Sequence, residues 1–379
     1  MIFKLNSEQQ MLQDSVRRFV EKAYSFEVRN ALLKDRAAVA HWDTFAANGW
    51  LAAALPDDFG GLGGTVIDTV LIAQELGKGL VLEPYLGCAV LAAQTFCAAA
   101  TPGQKTARLP LLSEGSERFA PAFVEPNSGS RPNVVTTKAI MREDGYLLEG
   151  RKTLVLGARG ASHYLVSARV ASPEGAGDGI SLFLVDARCA GITHHAMLLH
   201  DGSEASELVF DGVLLGGDAL VGEAGRGLDA IEHGLSHAVA TLCGELIGGM
   251  ERAIGMTADY LKIRKQFGVP IASFQALQHR MAEMAADLEL ARSMLYALLY
   301  SLENDDAAGR RKVVSQAKAL IGRIAKSVCA QAIQLHGGIG MTEECAVGHY
   351  YKRAIVADVL FGSSDEHEGR LMAVAESNP

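Results

Sequence analysis

The stretch QLHGGIGMTEE, residues 334–344, places three glycines within four positions directly after an apolar helical pattern. The apolar residues before it recur at three- and four-residue steps, the period of a helix that packs in a bundle. They are Val314, Ala317, Ile321, Ile324, Val328, Ala332 and Leu335. Because glycine has no Cβ atom, the backbone at Gly337 and Gly338 can lie close to a bound molecule. The stretch therefore predicts a long bundle helix that ends in an open glycine turn.

A second stripe of the same period precedes the first, across the polar break at residues 304–306. Its members are Leu277, Met281, Met284, Leu288, Ala291, Leu295 and Leu298. Two such stripes predict helices that pack together, with the methionines as core filler. We therefore expect a helical bundle domain over residues 227–379.

The period of the apolar residues changes toward two in the middle of the chain, between residues 119 and 226. The predicted strands there lie at residues 146–150, 164–170, 180–185 and 207–210. Short strands at such intervals predict an antiparallel barrel or sandwich. Residues 1–118 again have a helical period, with Ser7 as the expected cap of the first helix. The fold class is thus α+β, with three successive domains.

Composition and charge exclude several classes of protein. The net charge of -9 argues against a nucleic-acid or anionic-membrane surface, because such surfaces need clustered Lys and Arg. The six cysteines have no zinc-site spacing, so no metal is expected. The N-terminus lacks a signal-peptide pattern, which favours a cytoplasmic location. Residues 84–103 are uncharged, and we interpret them as a buried helix rather than a membrane span.

A second motif, RKQFG at residues 264–268, completes a pattern that resembles the acyl-CoA dehydrogenase family of flavoenzymes. The order of helical, β and helical-bundle domains is similar to that family over essentially the whole chain, which implies a four-helix bundle at the C-terminus. The resemblance implies FAD as the cofactor and an acyl-CoA thioester as the substrate. It also implies a dimer or tetramer, with like or unlike subunits, and electron-transfer flavoprotein as a partner.

The family pattern assigns cofactor contacts to particular positions. The residue that matches the arginine on the FAD pyrophosphate, across a subunit interface, is Arg264, with Phe267 in the same motif and Gln275 as a further contact. The glycine turn, through Gln334, Gly337 and Gly338, matches the element at the adenine end of a neighbour's FAD. Two later residues, Ser363 and Asp365, fall where the family lines the flavin end.

The positions of the catalytic base are apolar. In the family the base is a glutamate in a Tyr-Glu-Gly-Thr turn, and this chain has Phe361 at that position. A minority of members place the glutamate on the first long C-terminal helix, where this chain has Ala238, followed by Val239 in place of an arginine. Neither side chain accepts a proton.

Two stretches on the flavin side also depart from the family. Residues 124–131 read VEPNSGSR, where relatives have Thr-Glu-Pro and Gly-Ser-Asp, and Ser130 is the expected substrate contact there. Residues 154–156 read LVL in place of a Trp-x-Thr, and leucines donate no hydrogen bond.

Other residues could supply a base, although no motif supports them. They are Glu232, His233, His237, Glu245, Glu366 and His367. Glu245 is the candidate of interest, because Gly244, Gly248 and Gly249 frame it and permit close approach of a ligand or another helix. For each of these residues a structural or solvated role is the alternative.

Three hypotheses for the function follow from these residues. The first is an FAD-dependent acyl-CoA dehydrogenase with an unconventional base. The second is a partner subunit that completes a neighbour's FAD site, similar to the small subunit of pimeloyl-CoA dehydrogenase-type enzymes. The third is an acyl-CoA-binding or scaffold protein with no redox role.

Overall fold

The computed structural model describes residues 4–35, 39–171 and 179–377 of the chain. By its internal contacts the chain divides into two compact units. Of the described residues, the first unit comprises 4–35, 70–81 and 239–377, and the second comprises 39–69, 82–171 and 179–238. The first and last segments of the sequence thus share one unit. The domain boundaries at residues 118/119 and 226/227 stay a prediction.

Helices fill the first third of the chain, as the sequence predicted. They are α1 (Ser7–Ala23), α2 (Phe26–Asp35), α3 (Trp42–Ala47), α4 (Val66–Gly79), α5 (Ala93–Ala99) and α6 (Pro102–Ser113). The expected cap of α1 was wrong by one residue: Asn6 is the cap, and its side chain accepts a hydrogen bond from the Gln9 backbone N–H. The Gln9 side chain accepts one from the Asn6 N–H in return. Such a reciprocal pair satisfies two backbone donors that a helix start leaves free.

Within the uncharged stretch of residues 84–103, residues 85–99 form a mostly buried helix, and residues 102–103 begin the next one. The first part of the buried helix, Tyr85–Ala92, is a π-helix that continues into α5. Gly87 lies against Leu156, where a Cβ atom would come within 2.6 Å of the leucine Cβ. Among the residues that the structure describes, no helix is both long and apolar enough to cross a membrane.

An eight-stranded sheet forms the middle of the chain. Its strands are β1 (Phe119–Ala122), β2 (Lys138–Arg142), β3 (Gly145–Leu156), β4 (His163–Ala171), β5 (Ile180–Asp186), β6 (Ile192–Leu198), β7 (Glu204–Gly216) and β8 (Leu220–Val221). The order is β6-β7-β3-β2-β4-β5-β8, and β1 pairs with β4. Most pairs are antiparallel, but β1–β4 and β2–β4 are parallel. Strand spacing along the sequence carries no information on that order.

The C-terminal third of the chain is a helical bundle. Its helices are α7 (Gly227–Ile263), α8 (Gln275–Asn304), α9 (Ala307–His336), α10 (Ala346–Val359) and α11 (Ser364–Ser377). A two-stranded hairpin of β9 (Lys265–Gln266) and β10 (Val269–Pro270) joins α7 to the next helix. The apolar stripe of α9 is buried as predicted, while in α8 the buried part of the stripe begins at Met284.

Candidate functional site

The corner after α7 exposes an arginine and an aromatic ring. The Arg264 N–H donates to the Tyr260 carbonyl at 2.9 Å, and the Arg264 carbonyl accepts from the Ile271 N–H at 2.8 Å. Phe267 lies at the hairpin tip with a left-handed φ of 53° and is 91% exposed. Its ring contacts that of Phe274 edge to face, with centroids 6.1 Å apart. The hairpin tip thus presents a large apolar ring to solvent.

The glycine turn is open, as predicted. Helix α9 ends at His336, and Gly337 takes a φ of 66° and a ψ of -146° that only glycine adopts readily. A Cβ atom at Gly337 or Gly338 would meet nothing within 4 Å. Both glycines and the Gln334 side chain are exposed. The turn therefore leaves room for a bound group against its backbone.

The structure brings the arginine corner and the glycine turn together. Tyr260 stacks on His336 with ring centroids 4.5 Å apart and an interplanar angle of 20°. The tyrosine lies one helical turn before Arg264, and the histidine directly precedes Gly337. We call the exposed residues of this region the glycine-turn surface. Its members are Arg264, Phe267, Gln275, Gln334, Gly337 and Gly338.

The later turn, between α10 and α11, is a helix cap. The Ser363 N–H donates to Glu366 Oε2 at 2.8 Å, and the Glu366 N–H donates to Ser363 Oγ at 3.1 Å. The Ser363 hydroxyl thus serves as the cap of α11 and keeps its own hydrogen for another acceptor. The side chain of Asp365 is 94% exposed and lies 3.6 Å from the Arg323 guanidinium. Glu366, one of the proposed bases, is engaged in the cap.

The expected base positions carry no acid or base. Phe361 is partly buried, in a left-handed conformation with a φ of 62°. In the other compact unit, Ala238 is fully buried. Glu245 accepts two hydrogen bonds from Arg353, at 2.6 and 3.0 Å, which favours a structural role for its carboxylate. Of the other candidates, His233 and His237 lie together, with ring centroids 4.4 Å apart.

Two stretches that depart from the family pattern, residues 124–131 and 154–156, lie next to each other in the second unit. The Thr153 N–H donates to the Val124 carbonyl at 2.8 Å. The strand β3 shifts register between Lys152 and Val155, where Leu154 takes a φ of 50°. Such a bulge re-aims side chains and is frequent beside active sites. Ser130, the expected substrate contact, lies in the partly exposed loop that follows Val124.

A buried ion pair anchors that loop. The Lys152 ammonium donates to Glu125 Oε1 at 2.8 Å and to Ser167 Oγ at 2.9 Å. Backbone and hydroxyl groups of Thr136 and Thr137 also donate to the Glu125 carboxylate. Burial alone would raise the pKa of Glu125, but Lys152 and these donors outweigh it and lower the pKa to about 2. Sequence analysis did not single out either residue of the pair.

Three models of one family match almost the whole chain. They describe the N-terminal, middle and C-terminal domains of acyl-CoA dehydrogenase, at residues 6–116, 120–213 and 225–375 respectively. Members of this family are FAD-binding flavoproteins, which confirms the FAD prediction at the level of the family. Oxidoreductase chemistry on acyl-CoA thioesters is the corresponding family activity.

Individual relatives agree with the family models. A probable acyl-CoA dehydrogenase of Bacillus subtilis (strain 168) is 28% identical over 370 residues, which cover 96% of this chain and 97% of that protein. A subunit of the caffeyl-CoA reductase-Etf complex of Acetobacterium woodii is 28% identical over 366 residues, 95% of this chain and 96% of the subunit. The crystal structure of an acyl-CoA dehydrogenase from Geobacillus kaustophilus superposes with a TM-score of 0.88 at 26% identity, covering 99% and 100% of the two chains. This chain therefore belongs to the acyl-CoA dehydrogenase family.

Proposed function

We propose that this chain is a subunit of an FAD-dependent oxidoreductase that acts on an acyl-CoA thioester. In the proposed enzyme, the glycine-turn surface binds the adenine and diphosphate end of an FAD that a neighbouring chain holds. The observation that carries the proposal is the contrast between two parts of the C-terminal bundle. The glycine-turn surface is open and exposed, whereas position 361 carries an apolar side chain.

The residues of the glycine-turn surface fit that end of the cofactor. The Arg264 guanidinium carries a permanent positive charge suited to a diphosphate. The exposed backbone at Gly337 and Gly338 leaves space for a flat adenine, and the Gln334 amide offers both a donor and an acceptor. Phe267, three residues after Arg264, supplies an exposed apolar ring. When bound, FAD supplies the acceptor for the hydride that leaves the acyl group.

The flavin-side residues fit a partner role better than independent catalysis. An α,β-desaturation needs a group that removes a proton beside the thioester carbonyl. Phe361, Ala238 and the partly buried pair of Glu245 and Arg353 do not offer one. We therefore propose that a second, unequal chain supplies the base. The membership of one relative in a reductase-Etf complex supports an electron-transfer flavoprotein as the redox partner.

Purification of the chain alone and together with each family member encoded beside it tests the proposal. We expect flavin absorption, and bleaching on addition of acyl-CoA, only in a sample that contains both chains. Electron transfer from the bleached complex to an electron-transfer flavoprotein is the second measurement. A yellow protein that acyl-CoA bleaches without a partner would overturn the partner role, and a colourless protein with every partner would overturn the flavoprotein assignment.

A further inference from the structure

The backbone of the turn that carries residue 361 is held in an unfavourable conformation. Phe361 has a φ of 62° and Gly362 a φ of 106°. For a bulky residue such as phenylalanine, the left-handed region costs on the order of 1 kcal/mol or more. A strained conformation of this kind persists only where surrounding contacts fix it. Those contacts come from α9 and α11.

A fully buried lysine on α9 binds two carbonyl groups of the turn and of the helix before it. The Lys318 ammonium donates to the Gly362 carbonyl at 2.7 Å and to the Asp358 carbonyl at 3.0 Å. The Asp358 carbonyl belongs to the last turn of α10, where helix carbonyls lack partners and a positive charge is favoured. Lys318 therefore compensates both the helix end and the bent backbone beyond it.

The titratable groups around Lys318 come from four helices. Asp358 of α10 accepts hydrogen bonds from Lys326 Nζ at 2.7 Å and from Ser364 Oγ at 2.6 Å. Glu366 of α11 and Cys243 of α7 also interact electrostatically with the Lys318 side chain. Burial lowers the pKa of Lys318 to about 8 and raises that of the Cys243 thiol to about 12. At neutral pH the thiol is therefore uncharged and Lys318 is mostly protonated.

A glycine on α9 makes room for these contacts. A Cβ atom at Gly322 would lie 3.0 Å from Ser364 Oγ and 3.2 Å from Asp358 Oδ1. Gly322 follows Lys318 by one helical turn, so the two positions face the same part of the α10–α11 turn. The absence of a side chain at Gly322 thus lets Ser364 and Asp358 lie close to α9.

A neutral histidine binds the carbonyl of residue 361 itself. His367 Nε2 lies 3.1 Å from the Phe361 carbonyl oxygen, and His367 Nδ1 lies 3.1 Å from Ser315 Oγ. Burial lowers the pKa of His367 to about 4, so the ring is neutral at pH 7. Because a carbonyl only accepts, the Nε2 atom carries the hydrogen and Nδ1 accepts from the serine hydroxyl.

We propose that Lys318 is the positioning residue of this turn: its two hydrogen bonds hold the backbone in the left-handed conformation that fixes the direction of the side chain at position 361. Lys318 contacts backbone carbonyls of the turn rather than the side chain at 361. The two hydrogen bonds therefore do not depend on the residue type at position 361. The inference goes beyond the proposed function and does not depend on where FAD binds.

Hydrogen exchange of the full-length chain, resolved by residue, tests this role with the Lys318→Met variant. The amides of Gly362, Ser363 and Ser364 are hydrogen-bonded in the turn. Loss of two bonds from a charged donor should speed their exchange by about tenfold or more. The matched control is Lys312→Met, which removes an exposed lysine from the same helix and should change none of the three.

The position of the side chain gives a second readout. In protein labelled with 4-fluorophenylalanine, the ¹⁹F resonance of Phe361 is assigned by its loss in Phe361→Leu. We expect this resonance to shift or split in Lys318→Met and to stay unchanged in Lys312→Met. If Lys318→Met does not fold, Lys318→Gln keeps an N–H donor without the charge and should show the same local change to a smaller extent.

The outcomes separate a positioning role from a general structural one. Faster exchange confined to the turn, with a changed Phe361 resonance, supports the proposal. Exchange that rises equally along α9 and α10, or three turn amides that exchange as in Lys312→Met, would overturn it. Because neither measurement involves flavin, a failure here leaves the proposed function standing, and a colourless protein leaves this inference standing.

Discussion

Arg353 donates two hydrogen bonds to the Glu245 carboxylate. The distance from Nε to Oε1 is 2.6 Å, and the distance from a terminal guanidinium nitrogen to Oε2 is 3.0 Å. The exposed fractions of the two side chains are only 18% and 14%. Paired contacts of this kind are among the strongest that a carboxylate makes. They occupy both carboxylate oxygens, so a base role would require the pair to separate. We therefore interpret Glu245 as a structural residue that links α7 to α10 through its ion pair with Arg353.

Replacing Glu245 by glutamine should lower the stability of the protein rather than abolish chemistry. The variant leaves a largely buried guanidinium without an opposite charge, which should reduce the free energy of unfolding by about 1–3 kcal/mol. Denaturant unfolding of the variant and the parent measures the difference.

The matched control is Glu289→Gln, because the Glu289 carboxylate is 65% exposed and also pairs with an arginine. An exposed pair contributes about 0–1 kcal/mol, so this variant should be nearly neutral. If Glu245→Gln kept the stability of the parent while acyl-CoA no longer bleached the flavin of the complex, Glu245 would be the base after all.

Alanine substitutions at the two adjacent glycines of the turn distinguish an effect on ligand contact from an effect on backbone conformation. Gly337→Ala should destabilise the turn, since its φ of 66° is unfavourable for alanine. Gly338 has no such φ and a Cβ atom there meets nothing within 4 Å, so Gly338→Ala should fold normally. If FAD lies against this backbone, Gly338→Ala should nonetheless lower its affinity by about tenfold or more, by steric exclusion. FAD titration of the two-chain complex measures it, with thermal unfolding as the folding control.

An unchanged FAD affinity in Gly338→Ala would argue that the cofactor does not approach this turn. Arg264→Gln then gives an independent check of the same surface. Arg264 is exposed and, within residues 4–35, 39–171 and 179–377, forms no ion pair. A loss of FAD without a loss of stability would therefore locate the diphosphate beside Arg264.

The periodic features of the sequence predicted the fold well. The stripe from Val314 to Leu335 became the buried face of α9, and the change of period near residue 119 marked the start of the sheet. The order of the strands was out of reach, because parallel pairing of β1 and β2 with β4 depends on contacts distant in sequence. The Asn6–Gln9 cap was readable in principle from its N-x-x-Q spacing.

The residues that support the site were harder to predict. Lys318 lies four residues after Val314 and therefore on the buried face, but lysine is seldom fully buried. A hydropathy pattern assigns it to solvent, and only the carbonyls of another helix explain its position. Glu125 lies in the loop after β1 and Lys152 lies on β3, 27 residues later, so their pairing was also hard to predict. By contrast, the Ser-x-x-Glu spacing of residues 363–366 does predict the observed cap.

The ion pair of Glu125 and Lys152 should make the second unit sensitive to acid. The pKa of Glu125 is about 2 in the folded protein, well below that of a free carboxyl group. Between about pH 2 and pH 4.5, the folded state therefore binds fewer protons than the unfolded state. The resulting stabilisation is complete above about pH 4.5 and should be lost as the pH falls toward 2.

Glu125→Gln tests that dependence. The variant leaves the buried Lys152 ammonium without its counter-charge, and the free energy of unfolding at pH 7 should fall by about 3 kcal/mol or more. The difference between parent and variant should shrink as the pH falls from about 4.5 toward 2, because the carboxyl group is protonated first in the unfolded parent and near pH 2 in the folded parent as well. The control is Glu149→Gln, an exposed site on β3, the strand that carries Lys152. Its difference in stability from the parent should not shrink with falling pH in this way. A difference that stays constant down to pH 2 would contradict the assignment.

A glutamate at position 361 tests which chain performs the chemistry. In the proposed two-chain enzyme, the partner supplies the base. The rate of acyl-CoA-dependent flavin bleaching in Phe361→Glu should therefore stay within about threefold of the rate in Phe361→Gln. Glutamine is the control because it has the shape of glutamate but accepts no proton. A general base in the right place contributes about 10²–10⁴-fold to such a step. A gain of that size in Phe361→Glu over Phe361→Gln, measured by stopped-flow absorbance, would mean that the turn held by Lys318 faces a reacting flavin. The chain would then be a dehydrogenase that lacks only its base, and the partner role would have to be abandoned.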